Sequence, residues 1–331
     1  MENRARFIFA ILAGVLGILA TIAPAAAQHL MFILPLAPTG EETVFYLAQA
    51  QGRYAKAGLD IEFEDGRGSG YVMQVLAAGH GDLGEGSLVP MVVAREKGAL
   101  VRSIGLFWPK GDMALVVPRA SSIKSGSDLR GKRFVLSTAG PWPLVMDQFL
   151  GNLHLTNKDV GLENVNGAAL YSTYTSGRVD GMMTVANAFV QVDPLRPSQI
   201  VLASNLGVDM PGEGLVASDK ILAEKHDAIQ KFVGIIKQTL EYMYDGHEAE
   251  AVDATLKARP DLSKSHDILL KEAILAKEFL RTPGTQNHPF GWQSPEEWAK
   301  QIDFMTAAKI IGPGHKADEF FTNSLIDATT K

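Results

Sequence analysis

Apolar residues recur along this chain in two alternating rhythms. Residues 30–34 and 59–63 are short apolar or β-branched runs of strand length. Between them, 42–57 sets Val44, Leu47, Ala48, Tyr54 and Ala55 at helical spacing and stops on Gly58. Gly66, Gly68 and Gly70 then lead into a helix over 71–78. A strand near 82–84, a helix over 88–97 and strands at 100–107 and 113–118 follow. After Asp128 the series restarts: a strand at 133–137, a helix over 143–153 with Pro143 near its first turn, a helix over 168–176, and strands at 179–185 and 199–203. Alternation at this spacing predicts βα units and a largely parallel sheet. Beyond 214–218 the pattern is almost purely helical, over 220–246, 248–258, 263–280 and 295–308.

One passage echoes another. The helix over 71–78 stops on Gly79, and Asp82-Leu83-Gly84 follows; the helix over 168–176 stops on Gly177, and Asp180-Gly181-Met182 follows at the same offset. Two similar α/β lobes would produce such an echo, and so would a common Gly-x-x-Asp turn.

The start of the chain sets the expected compartment. Arg4 and Arg6 precede an uninterrupted run of apolar, small or neutral residues over 7–22, broken by Pro24 and closed by Ala25-Ala26-Ala27. This is the pattern of a secretory signal peptide over 1–27 with cleavage after Ala27. Its apolar run is shorter than the ~20 residues of a membrane span. Gln28 stands where a lipid-anchored protein would carry Cys, and the chain has no cysteine at all. The expected product is therefore free in the periplasm and not lipid-anchored. Losing Glu2, Arg4 and Arg6 leaves 29 basic against 36 acidic side chains, a formal −7. That balance argues against nucleic acid as a partner. A mature chain of this length predicts two domains.

Catalytic and metal signatures are missing from the sequence. It holds no His-Glu-x-x-His, its eight histidines are scattered, and no Walker-type motif occurs. Ser69 and Ser87 lack the Gly two residues on that a nucleophile elbow requires. Gly79-His80-Gly81-Asp82-Leu83-Gly84 matches the dinucleotide fingerprint in letters, but it follows a helix and opens a strand, the reverse of the required context. No catalytic residue, metal or cofactor is expected.

What remains is a set of loops at the predicted C-terminal ends of strands, where open α/β sheets bind ligands. They are 35–42, 66–70, 84–87, 107–108, 138–142 and 185–187. The candidate ligand-binding residues are Phe32, Glu42, Phe45, Tyr46, Gly68, Ser69, Gly70, Glu85, Ser87, Phe107, Trp108, Thr138, Gly140, Trp142 and Asn187. A planar ring stacked between some of the aromatics is expected, with Tyr171 nearby. Glu42 and Glu85 would accept from ring amino or N–H groups, and backbone N–H groups at 68–70 and 138–140 would meet an anionic or carbonyl part. Two acids favour a nitrogen heterocycle over nitrate or a small sulfonate; Arg67 keeps an aromatic carboxylate as the alternative. An enzyme would need converging acid and base, and Glu42 with Glu85 is the one acid pair these loops offer.

The chain resembles the solute-binding proteins of ABC importers for nitrate, sulfonates such as taurine, and thiamine pyrimidine precursors. The resemblance is carried by Glu42-Thr43-Val44-Phe45-Tyr46-Leu47-Ala48, by the stretch from Gly52 to Ile61, by Leu76 to Gly84, by Asp128-Leu129-Arg130-Gly131-Lys132-Arg133, by Gly177-Arg178-Val179-Asp180-Gly181, and by Trp298 ahead of Ile311-Gly312. It implies a type II periplasmic-binding-protein-like α/β fold of two lobes, each a mixed, mostly parallel sheet flanked by helices, with ligand in the interlobe cleft. Lobe I would comprise 28–116 and 212–331, and lobe II 117–211. It further implies a monomer that captures a small molecule and hands it to an inner-membrane ABC permease and its ATPase. Relatives often have His-Ala-Pro before the first helix aromatic, where this chain has Glu42-Thr43-Val44. Pyrimidine-forming relatives use a Cys-rich motif that a chain without cysteine does not share.

Overall fold

In the computed structural model, which describes residues 27–138, 141–208 and 210–328, the first βα series opens with β1 (Gln28–Leu34), α1 (Thr43–Ala50) and the one-turn α2 (Arg53–Lys56). Apolar spacing alone joins α1 and α2 into one helix. Gly52, at φ 65°, breaks it, because a left-handed residue cannot continue a right-handed helix. β2 (Leu59–Asp65), α3 (Ser69–Ala77), β3 (Leu83–Ser87), α4 (Leu88–Glu96) and β4 (Val101–Lys110) complete that series. The second series is β5 (Met113–Pro118), β6 (Arg133–Ser137), α5 (Trp142–Asn152), β7 (Gly161–Val165), α6 (Gly167–Thr175), β8 (Gly181–Val185), α7 (Ala188–Val192) and β9 (Ser198–Leu202). β10 (Pro211–Ser218) returns to the first sheet. The remaining helices are α8 (Asp219–Glu224), α9 (His226–Met243), α10 (Glu248–Ala258), α11 (His266–Ala276), α12 (Pro295–Ala307) and α13 (Ser324–Ala328).

The two sheets share one plan. Their strand orders are β2-β1-β3-β10-β4 and β7-β6-β8-β5-β9. In each, four strands run one way and the fourth in the order runs against them. That opposed strand is in both cases the first one laid down after the chain crosses between sheets. The crossings are short, from Lys110 to Met113 and from Leu202 to Pro211. β5 lies wholly in the second sheet, so the expected boundary at 116/117 falls within it, with Met113 to Val116 on the lobe I side and Val117 and Pro118 on the lobe II side.

The sequence echo falls on equivalent strands. Gly79 and Gly177 both take positive φ, 73° and 79°, ahead of β3 and β8. The Asp82 carboxylate accepts from the Met31 N–H on β1 at 2.9 Å, and the Asp180 carboxylate accepts from the Arg133 N–H on β6 at 2.8 Å. In return the Asp82 N–H donates to the Met31 carbonyl and the Asp180 N–H to the Arg133 carbonyl. Each Asp pins the start of one strand to its parallel neighbour, β3 to β1 and β8 to β6.

The aromatic core lies under the first sheet. Phe32, Phe45 and Phe232 meet with ring centroids 4.8–6.4 Å apart, closing β1 against α1 and α9. Phe232 sits on the apolar face of α9 with Ile229, Val233, Ile236 and Leu240, all buried. Among the described residues no helix is long and apolar enough to cross a membrane. The expected signal segment lies outside the described residues apart from Ala27.

Candidate ligand-binding site

A cleft of about 800 Å³ opens between the two sheets. The first sheet contributes Arg67, Gly68, Ser69, Gly70 and Tyr71 at the start of α3, Ser87, Val89 and Pro90 at the start of α4, and Glu213 on β10. The other wall holds Met113, Val185, Thr138, Pro141, Pro143 and Leu144, the last three around the start of α5. Three helix N-termini thus surround the cleft, each with backbone N–H groups that have no partner within the helix. The turn into α3 needs glycine: Gly68 has φ 112°. The Ser69 hydroxyl accepts from the Ser87 N–H at 3.1 Å and so ties the start of α3 to that of α4.

The floor is acidic. Glu213 and Asp112 line the cleft, and Glu85 and Glu41 lie buried behind them. In the β3–β10 ladder Glu85 stands opposite Leu215, so Glu213, two residues along, projects from the same face. The Glu213 carboxyl lies within hydrogen-bonding reach of both Glu85 and Glu41. No N–H or hydroxyl among the described residues reaches either oxygen of the fully buried Glu85. Two carboxyls can make such a contact only by sharing a proton. Burial, compounded by Asp112 and Glu42, pushes Glu213 up to about 8. Burial pushes Asp112 up to about 6. Burial with Glu213, Glu42 and neighbouring acids moves Glu41 and Glu85 well above the ordinary carboxylate range.

Two nearby acids are built differently. Glu42 accepts from the Thr39 N–H at 2.7 Å and the Thr39 hydroxyl at 2.6 Å, closing its own turn. Buried Glu272 on α11 is held by Lys264 at 3.1 Å, by the Gly40 N–H at 3.1 Å and by Gln191 of α7 at 3.2 Å. Both are spoken for by the fold, whereas Glu213, Glu85 and Asp112 have no basic partner among the described residues.

The structure divides the residues expected at the site. It brings Gly68, Ser69, Gly70, Ser87 and Thr138 to the cleft, with Arg67, and sets Glu85 directly behind Glu213. It does not bring the aromatic side chains there. Phe32, Phe45, Phe107 and Trp108 are fully packed in the core against the first sheet. Trp142 packs on Phe149 and donates its indole N–H to the Thr184 carbonyl at 2.8 Å. Tyr46 is buried and receives a hydrogen bond from Arg259, which also pairs with Asp65. Asn187 stands at the N-terminus of α7 without a side-chain cap, Tyr171 packs on the second-sheet core, and neither lines the cleft. Gly140 lies outside the described residues. Burial of large apolar area governs where these rings go, and the cleft receives Tyr71 as its aromatic instead. Sequence reasoning missed Glu213, Asp112 and Glu41. Gly212-Glu213-Gly214 and Gly111-Asp112 read locally as turn chemistry, and only the crossings place them under a ligand.

Residues 40–250 match the family model described as NMT1/THI5 like. The chain belongs to that family. A Haemophilus influenzae protein whose name assigns it to thiamine biosynthesis is 25% identical over 255 residues, covering 75% of this chain and 79% of that protein. The riboflavin-binding protein RibY of Chloroflexus aurantiacus is 21% identical over 315 residues, covering 90% and 86%. The periplasmic aliphatic sulphonate binding protein SsuA of Escherichia coli superimposes with a TM-score of 0.67 at 13% identity, over 88% of this chain and 91% of that one. The fold is thus that of the periplasmic binding proteins, two mixed sheets each flanked by helices.

Proposed function

We propose that this NMT1/THI5-like protein is the solute-binding component of an ABC importer, exported with cleavage after Ala27, free and monomeric in the periplasm, and serving a membrane permease and its ATPase. One lobe is the first sheet with the C-terminal helices; the other is the second sheet. The two short crossings are the hinge about which they close on ligand. The solute is a planar, nitrogen-bearing heterocycle of the size of a thiamine precursor. The observation that carries this reading is the cleft itself: walls of Tyr71, Met73, Val89, Pro90, Pro143 and Val185 over a floor of Glu213 and Asp112. Apolar walls suit a flat ring, and the acids suit its amino or N–H groups while repelling nitrate or a sulfonate. The alternatives of the same fold, an aromatic carboxylate at Arg67 or a small anion, lack any complement on the floor.

A second reading has one observation behind it. A buried carboxyl poised near neutrality is also what an acid–base catalyst needs, and fold alone does not decide between binding and catalysis. Calorimetry with aminopyrimidines, riboflavin, benzoate, nitrate and taurine separates these readings. Micromolar binding of a nitrogen heterocycle, about −8 kcal/mol, with the compound recovered unchanged is the expected result. Binding of taurine or nitrate alone, or turnover of the bound heterocycle, would refute it.

A further inference from the structure

We infer that the solute carries a positively charged nitrogen, a protonated amine or amidinium, seated against Glu213 and Asp112 at the floor of the cleft; the inference rests on the reading of that cleft as the solute site. Four acids converge there from four places: Glu41 ahead of α1, Glu85 on β3, Asp112 in the first crossing and Glu213 on β10. The charged and titratable groups facing them are Glu42 ahead of α1 and Tyr244 after α9. The charges that bear most on Glu41, Glu85 and Glu213 are one another's and those of Glu42 and Asp112, all acidic. The cations of the cleft, Arg67 and Lys97, belong to its wall, and the Arg67 guanidinium sits 5.7 Å from the Tyr71 ring centroid.

The fold elsewhere satisfies its buried acids, as Lys264 and the Gly40 N–H satisfy Glu272. It leaves Glu85 with two buried oxygens that no N–H or hydroxyl among the described residues reaches. A buried acid without a partner costs stability, and ligand binding is where that cost is recovered. A metal ion is the first alternative. Among the described residues no group of three or more His, Asp or Glu is arranged to hold one. An organic cation with N–H donors fits instead, because it can offer a donor to Glu213 and to Asp112 together while its apolar part lies on the walls. Its arrival displaces the proton shared at Glu213, so binding releases on the order of one proton and tightens as pH rises toward neutrality.

The test uses the full mature protein and a matched pair of probes, 4-(aminomethyl)pyrimidine, a cation at neutral pH, and neutral 4-(hydroxymethyl)pyrimidine. Titrations in two buffers of different ionisation enthalpy report both affinity and proton release. The amine is expected to bind roughly tenfold or more tightly than the alcohol, with proton release, and Glu213→Gln should abolish both the preference and the release. Asp112→Asn, measured in parallel, should weaken the preference and keeps the test sound should Glu213→Gln fold poorly. Equal or tighter binding of the alcohol would overturn the cationic solute while leaving a heterocycle site intact. Failure of both probes, with binding of taurine or nitrate, would overturn the inference and the heterocycle site together.

Discussion

A carboxyl buried at the floor of the cleft holds its proton more tightly than the same group in an unfolded chain, so folding draws protons in. Glu213 is pushed up to about 8 and Asp112 to about 6, each from an ordinary value near 4. Wherever the folded state binds more protons, stability falls as pH rises. The cluster's contribution is therefore fully present below about pH 4 and is lost as pH climbs through 6 and 8, at up to about 1.4 kcal/mol per proton per pH unit. Thermal denaturation of the ligand-free protein should give a melting temperature that declines between about pH 5 and about pH 8. Glu213→Gln, which removes the titrating group and keeps a hydrogen-bonding amide, should flatten that decline and stabilise the protein by roughly 1–3 kcal/mol at the alkaline end. A melting temperature independent of pH, or a less stable variant there, would mean that Glu213 is satisfied by the fold. Single-residue legibility follows the same physics. Gly68, Ser69, Ser87 and Thr138 could be read as cleft residues because loop chemistry is local. Phe32, Phe45, Trp108 and Trp142 could not be told from core, because an aromatic looks alike whether it meets a ligand or a neighbouring helix.

At the scale of elements, the repeated Asp is the device that sets each sheet in register. Asp82 is nearly buried, accepts from the Met31 N–H and pairs with Lys225 at 2.7 Å. Asp82→Ala should cost about 1.5–3 kcal/mol in urea denaturation, and Asp180→Ala, whose carboxylate lies nearer solvent, should cost less. Equal stability of Asp82→Ala and the parent protein would reduce the echo to coincidence. Most elements were legible from periodicity, including β5 and β6 to the residue. Two strands were not. β7, Gly-Leu-Glu-Asn-Val, is a half-exposed edge strand without a clean alternation. β10 opens on Pro-Gly-Glu-Gly, which reads as a turn, yet its first residues pair with β3 and β4 in the middle of the sheet. Glycine there serves close approach: a Cβ on Gly214 would stand 2.5 Å from the Gly105 carbonyl oxygen. The missed strand is also the one that carries Glu213.

For the whole molecule, two sheets of one plan joined by two short crossings place the cleft where three helix N-termini and one acidic floor converge. The alternation of strands and helices made the α/β class readable from the sequence, and the family resemblance implied its two lobes. The direction of β5 and β10 was not, because an antiparallel strand inserted after a crossing depends on contacts far apart in the chain. The central claim is that this cleft captures a nitrogen-bearing organic solute. Native mass spectrometry of protein purified from periplasmic extract without denaturation tests it most directly, with acid release and identification of any bound molecule. The expected result is a nitrogen heterocycle bound one to one and lost on acidification, when the floor takes back its protons. A bound sulfonate, nitrate or metal ion, or a heterocycle that Glu213→Gln retains unchanged at every pH, would contradict it.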